Sequence, residues 1–89
     1  MFAALICRDK PGALDIRMAN RQAHLDYAAA SGRVFVGGPL IEDGQMLGSL
    51  IVLEVDSLDD ARAFAADDPY AKAGLFAQVE VIEWKKVIG

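Results

Sequence analysis

The chain has 89 residues, a formal net charge of −4 and a hydrophobic content of 54%. We expect a single domain over residues 1–89, because this length is typical of one small core. The chain contains nine basic and thirteen acidic residues, and the basic residues do not form a run. This balance argues against nucleic acid and anionic membrane surfaces as partners, since both are bound through clustered positive charge. No apolar stretch reaches the roughly 20 residues of a membrane-spanning helix.

The cysteine and histidine content limits the chemistry. Cys7 is the only cysteine, so an intrachain disulfide is impossible, as is usual in a reducing compartment. The N-terminal residues lack the basic start and cleavage site of a signal peptide, so we expect a cytoplasmic protein. One histidine and one cysteine are too few for a transition-metal site within the chain, and no nucleotide-binding glycine motif is present. We therefore expect neither a metal nor a cofactor.

The first half of the chain predicts a strand, a helix and a short strand. The apolar run Phe2–Cys7 is typical of a buried strand. Residues 13–31 contain neither proline nor glycine, which predicts a helix that ends at Gly32. Val34–Val36 is predicted as a second strand, which Gly37-Gly38-Pro39 is expected to break.

The second half repeats this order. Met46–Val55 is the longest predicted strand, and Ser57 is placed to cap a helix that extends to about Ala66. Asp68 precedes Pro69 as the N-cap of a further helical turn. Phe76–Val87 is the last predicted strand. The order β-α-β-β-α-β predicts an α+β, ferredoxin-like fold with a four-stranded antiparallel sheet.

Both faces of the predicted sheet carry apolar side chains. Residues 50–55 of the third strand are apolar on both sides, apart from Glu54. In the last strand, the residues placed opposite Val79 and Val81 are Phe76, Ile82 and Trp84. Two helices cover only one face of such a sheet, so a second copy packed sheet against sheet would cover the other. The alternative is a monomer with a patchy apolar face.

The first predicted helix has two apolar stripes separated by polar residues. One stripe consists of Leu14, Met18, Leu25 and Ala28, and the other of Ile16, Ala19, Ala23, Tyr27 and Ala30. We expect one stripe to face the sheet and the other to meet a partner or a loop. Between them lies a polar seam made of Arg17, Asn20, Arg21 and His24.

His24 is the only residue that exchanges protons near neutral pH without a large pKa shift, which makes it a candidate acid–base group. The alternative is a surface histidine on the polar seam. Asp68 is a candidate for orienting the imidazole, since a carboxylate at a helix start can hold its charged form. The alternative for Asp68 is a helix cap alone, and the sequence does not show whether the two side chains meet.

Other candidates would line a pocket. The backbone at Gly38-Pro39 could approach a ligand closely, although a turn or bulge is the alternative. Ser49 interrupts an apolar face and is either paired in the core or exposed to a pocket. Tyr70 is a packing residue with a polar end. Cys7 is expected to be a small buried side chain.

Several of these residues occur in one order, as Arg21-x-x-His24-Leu25-x-Tyr27, Gly38-Pro39, Gly48-Ser49 and Asp68-Pro69-Tyr70. In this order the chain resembles the YciI-like, or YCII-related, family over nearly its whole length. The resemblance implies a subunit of a dimeric α+β barrel with a pocket closed off by the sister subunit. It also implies an active-site pair formed by His24 and Asp68, with Ser49 and Gly38-Pro39 nearby.

The leading hypothesis is a small cofactor-free enzyme of the lyase or isomerase type. His24 would move a proton on a small, cyclic or aromatic substrate, Asp68 would set its tautomer, and Ser49, Gly38, Pro39 and Tyr70 would line the site. The second hypothesis is a module that binds a metabolite unchanged. The third is an accessory domain that works as a homodimer or higher even oligomer, without a ligand.

Overall fold

A computed structural model describes residues 1–89 and contains four strands and three helices. In chain order these are β1 (Phe2–Asp9), α1 (Leu14–Ser31), β2 (Val34–Glu42), β3 (Gln45–Glu54), α2 (Leu58–Asp67), α3 (Pro69–Lys72) and β4 (Phe76–Trp84). The strands form one antiparallel sheet in the order β2-β3-β1-β4. The predicted ferredoxin-like α+β fold is confirmed.

The main core lies between the sheet and α2. Leu5 and Cys7 of β1 and Leu53 of β3 are at most 2% exposed, and they pack against Phe64 on α2. Ser57 caps α2 as predicted, because its hydroxyl accepts a hydrogen bond from the Asp60 amide at 3.2 Å. The central strand β1 is therefore buried on its helix side along its length. None of the helices is long and apolar enough to cross a membrane.

Strand β2 continues through Gly37-Gly38-Pro39, so the predicted break there is wrong. Gly37 pairs with Ile51 and Pro39 with Ser49, and the strand ends only at Glu42. The sequence suggested a break because glycine and proline are poor strand residues. At the edge of a sheet, however, a proline nitrogen can face outward without removing an interstrand hydrogen bond.

A bulge in β4 corrects a second expectation. Arg8 pairs with Gln78 but Asp9 pairs with Phe76, so one residue of β4 is left over between these pairs. This extra residue moves Phe76 to the helix side, where it packs edge-on against Tyr70 at 6.0 Å between ring centroids. Phe76 therefore does not share a face with Ile82 and Trp84. Strand β4 also ends at Trp84 rather than Val87.

The opposite side of the sheet, here called the outer face, is apolar and carries no helix. Its apolar members include Phe2, Phe35, Val36, Leu50, Ile82 and Trp84, of which the last five are 37–54% exposed. Glu54 and Glu80 share this face. Phe2 contacts Phe35 and Trp84, with ring centroids 4.9 and 5.9 Å apart. The prediction that both faces of the sheet are apolar is confirmed.

Candidate active site

Helix α1 turns its polar seam, not an apolar stripe, toward the sheet. Arg17 and His24 are the buried residues of this helix. By contrast, Leu14 and Ile16 are each 38% exposed and Met18 is 54% exposed. The expected stripe orientation is therefore wrong. Charged and polar side chains are tolerated inside only when they are paired, and the partners of Arg17 and His24 come from other parts of the chain.

The first partner group forms around Arg17. Its Nε donates to Asp9 Oδ2 at 2.7 Å, and its Nη2 donates to Asp9 Oδ1 and to Ser49 Oγ, both at 2.9 Å. Burial by itself lowers the pKa of Arg17, but the hydrogen bonds and negative charge of Asp9 outweigh it and raise the pKa above its usual value. Arg17 is therefore a fixed, buried cation.

The geometry around Ser49 determines what its hydroxyl can do. Because Ser49 Oγ accepts from Arg17, its own proton is free to donate to another oxygen. Ser49 is 2% exposed and lines a cavity beside Arg17. Ser49 therefore combines the two predicted alternatives, because its hydroxyl is paired with Arg17 and also lines the cavity.

His24 and Asp68 meet, although 44 positions separate them in the chain. His24 Nδ1 lies 2.9 Å from both carboxylate oxygens of Asp68. A carboxylate oxygen accepts, so Nδ1 is the nitrogen that donates to Asp68, and in the neutral imidazole the lone pair is then on Nε2. Asp68 Oδ1 also accepts from the Tyr70 amide at 2.8 Å, so the same carboxylate caps α3. The cap and the imidazole partner are therefore one group.

The Tyr70 ring packs against the flat face of the His24 imidazole. Its ring stacks on His24 with centroids 4.1 Å apart and an angle of 15° between the planes. The Arg17 guanidinium carbon lies 4.6 Å from the Tyr70 ring centroid. Burial raises the pKa of the Tyr70 phenol, while the charges of Arg17 and Arg21 partly oppose this. Tyr70 therefore stays neutral near pH 7 and restricts the tilt of His24.

These groups surround a cavity of about 150 Å³ between α1 and the β2–β3 half of the sheet. The α1 wall consists of Arg17, Arg21, His24, Leu25 and Ala28. The sheet wall includes Val34, Gly38, Pro39, Met46, Ser49 and Ile51. The cavity lies between α1 and the sheet, on the helix side. Closure of this cavity by a sister subunit stays a prediction.

The cavity brings together most of the predicted site residues. His24, Ser49, Gly38, Pro39 and Tyr70 line it, whereas Asp68 lies behind the imidazole. A Cβ atom added to Gly38 would meet nothing within 4 Å, so packing does not require glycine there.

Sequence reasoning missed Arg17 and Arg21 as cavity residues. Their spacing from His24, at seven and three positions, puts all three on one side of a helix and was the available signal.

Cys7 has no role as a nucleophile in this arrangement. Burial, and then the charge of Asp68, raise the pKa of its thiol to about 12, so it stays protonated at neutral pH. No group of three or more histidine, cysteine or acidic side chains is placed to hold a metal ion. Among the groups at the cavity, His24 therefore stays the candidate for proton transfer.

Fold and cavity together define a ferredoxin-like α+β protein with a histidine pocket beneath its first helix. The sequence pattern of the YCII-related domain matches residues 1–85. The chain belongs to this YCII-related domain family. It is 33% identical to an uncharacterised protein of Haemophilus influenzae and 32% identical to protein YciI of Escherichia coli. Each alignment covers 98% of this chain and 99% of the relative.

One similar solved structure is that of an enzyme with a small molecule bound. It is the 5-chloro-2-hydroxyhydroquinone dehydrochlorinase TftG of Burkholderia phenoliruptrix in complex with 2,5-dihydroxybenzoquinone. It is 37% identical, with a TM-score of 0.89 over 96% of this chain and 94% of the enzyme. An antibiotic biosynthesis monooxygenase with 10% identity and a TM-score of 0.58, covering 97% of this chain and all of its own, shares the fold alone.

Proposed function

We propose that this protein is a small acid–base enzyme that catalyses an elimination or isomerisation on a single-ring, oxygen-substituted substrate. The observation that carries the proposal is the imidazole of His24, held by Asp68 and stacked on Tyr70 at the wall of a cavity. The similarity to a dehydrochlorinase bound to a hydroxyquinone supports this class of substrate. Proton transfer by a positioned histidine contributes about 10²–10⁴-fold to a rate.

The proposed step uses Nε2 of His24, the ring nitrogen that no protein group binds. Nε2 accepts a proton from the substrate, and the electron pair of the broken bond forms a new double bond. In an elimination, the leaving group departs with its own bonding electrons as an anion. Asp68 stabilises the imidazolium until the proton passes to water. In an isomerisation, the imidazolium returns the proton to another atom of the ring.

The developing negative charge on the substrate would be stabilised by Ser49 on the sheet wall and by Arg17 on the α1 wall. The free Ser49 hydroxyl proton and the fixed charge of Arg17 face the cavity together. Donors that are already oriented before the reaction stabilise an oxyanion without reorganisation, which is often a large contribution to catalysis. Ser49 and Arg17 would thus take the role first considered for the backbone near Gly38.

An assay on 5-chloro-2-hydroxyhydroquinone, the substrate in the relative's name, tests the proposal. We expect chloride release above the uncatalysed rate, measured with a chloride electrode, together with formation of a quinone product. Saturable binding of the ring with quantitative recovery of unchanged compound would instead favour the binding module. Neither turnover nor binding of this ring would overturn the proposed substrate class.

We also propose that two copies pair through their outer faces as a homodimer. A stable monomer rarely exposes a contiguous apolar patch, and here aromatic and aliphatic side chains from all four strands share one surface. Each large side chain that becomes buried contributes about 1.5–3 kcal/mol. A cytoplasmic location remains a prediction from the cysteine content.

The variant Ile82→Glu tests the dimer, because residue 82 is 49% exposed on the outer face. We expect light scattering to show the mass of two 9.6 kDa chains for the wild type and of one for the variant. Val87→Glu is the matched control, since Val87 is 80% exposed and outside the sheet. A wild-type protein with the mass of a single chain would contradict the dimer.

A further inference from the structure

The basic side chains that line the cavity differ in whether an acidic side chain is bound to them. Asp9 neutralises Arg17 through two hydrogen bonds, and Asp68 lies against His24. Arg21 also lines the cavity but takes part in no ion pair or side-chain hydrogen bond. No acidic residue is among the thirteen that line the cavity. Arg21 is therefore the positively charged side chain of the cavity that has no acidic partner bound to it.

The position of Arg21 on α1 directs it to the same space as the proton-transfer group. It follows Arg17 by four residues and precedes His24 by three, which places the three side chains on one helix face. Arg21 is exposed whereas its two neighbours are buried, so it stands at the cavity mouth. A local positive charge in a chain of net charge −4 attracts small anions to this opening.

The remaining walls suit the body of one ring. Leu25, Ala28, Val34, Met46 and Ile51 provide apolar surface. The cavity volume is about 150 Å³, and an apolar cavity of that size in another protein holds benzene. A ligand with a charged oxygen at the mouth and a flat body inside would meet both kinds of wall.

We propose that Arg21 is a specificity-determining residue that selects ring ligands carrying a negatively charged oxygen over neutral rings. The guanidinium donates to the ionised hydroxyl or carboxylate of the ligand at the cavity mouth. That contact orients the ring so that its reacting atom faces His24. This inference rests on the proposed function, since it assumes that the cavity is the substrate site.

The test compares two rings by isothermal titration calorimetry at pH 7. The charged probe is 2,5-dihydroxybenzoquinone, whose hydroxyl groups are acidic, and the neutral probe is hydroquinone. We expect the wild type to bind the charged ring about tenfold more tightly, a typical size for one partly solvated charge-assisted hydrogen bond. In Arg21→Gln this preference is lost, while the affinity for hydroquinone is unchanged. Arg21→Lys keeps part of the preference.

The control variant is Arg62→Gln, which removes the same charge from an exposed position on α2 outside the cavity. It should keep the wild-type preference, and both glutamine variants should keep the wild-type melting temperature. An unchanged preference in Arg21→Gln, or equal affinity of the wild type for both rings, would overturn the role of Arg21 and leave the proposed function standing. Binding of neither ring to the wild type would overturn both.

Discussion

Replacing His24 with alanine is expected to reduce turnover by about 10²–10⁴-fold, the usual contribution of a positioned acid–base group. The imidazole is the group at the cavity that can accept a proton at Nε2, so no other side chain takes over this step. Binding of the ring should change little, because the apolar walls and both arginines remain. Steady-state kcat, measured together with the Kd of 2,5-dihydroxybenzoquinone, separates the two effects.

The variant Asp68→Asn tests the same proton transfer, since it keeps the N-cap of α3 but changes the tautomer of His24. The amide oxygen of asparagine can still accept from the Tyr70 backbone, as Asp68 Oδ1 does at 2.8 Å. Its NH2 group would then donate to Nδ1 of His24, which moves the imidazole proton to Nε2 and removes the base. We expect a loss of kcat approaching that of His24→Ala, with little loss of stability.

Tyr27→Phe is a matched control on the same helix. It removes only the hydrogen bond from the Tyr27 hydroxyl to the Phe64 carbonyl, outside the cavity. Turnover should stay within about twofold of the wild type, as expected for a change that leaves the imidazole and its partners in place. Full activity of His24→Ala would show that the reaction proceeds without this histidine, and the proposed mechanism would then be wrong.

The largest effect on stability is expected for Asp9→Ala. This change leaves Arg17 as an unpaired cation with a side chain that is 3% exposed. Breaking a buried pair on one side costs about 3–5 kcal/mol, a large share of the total stability of so small a domain. Urea unfolding should therefore show a midpoint far below that of the wild type.

Two further variants show whether the cost comes from the unpaired charge. Asp9→Leu combined with Arg17→Met removes both charges and should recover much of the lost stability, because the desolvation cost disappears with them. Asp59→Ala breaks the Asp59–Arg62 pair, whose side chains are 91% and 56% exposed, and should change the midpoint little. A midpoint in Asp9→Ala equal to that of Asp59→Ala would contradict a buried, energetically important Asp9–Arg17 pair.

Much of the architecture was predictable because it depends on local patterns. Apolar runs of strand length, a helix without glycine or proline, and the caps at Ser57 and Asp68 were sufficient for the order of elements. Residue chemistry made His24 a candidate acid–base group and Asp68 a candidate partner, and the family resemblance added that the two act as a pair. The distance between them follows from how α1 packs against α3, which no spacing within the sequence encodes.

The amino-acid pattern alone was sufficient to predict the fold, the apolar outer face and the identity of the proton-transfer candidate. Which side of α1 is buried depends on residues that meet only in the folded chain. Helical periodicity showed two apolar stripes and a polar seam, and the hydrophobic effect alone favours burial of a stripe. Arg17 and His24 of the polar seam are buried instead, because Asp9, Ser49 and Asp68 from distant parts of the chain satisfy their hydrogen-bonding groups.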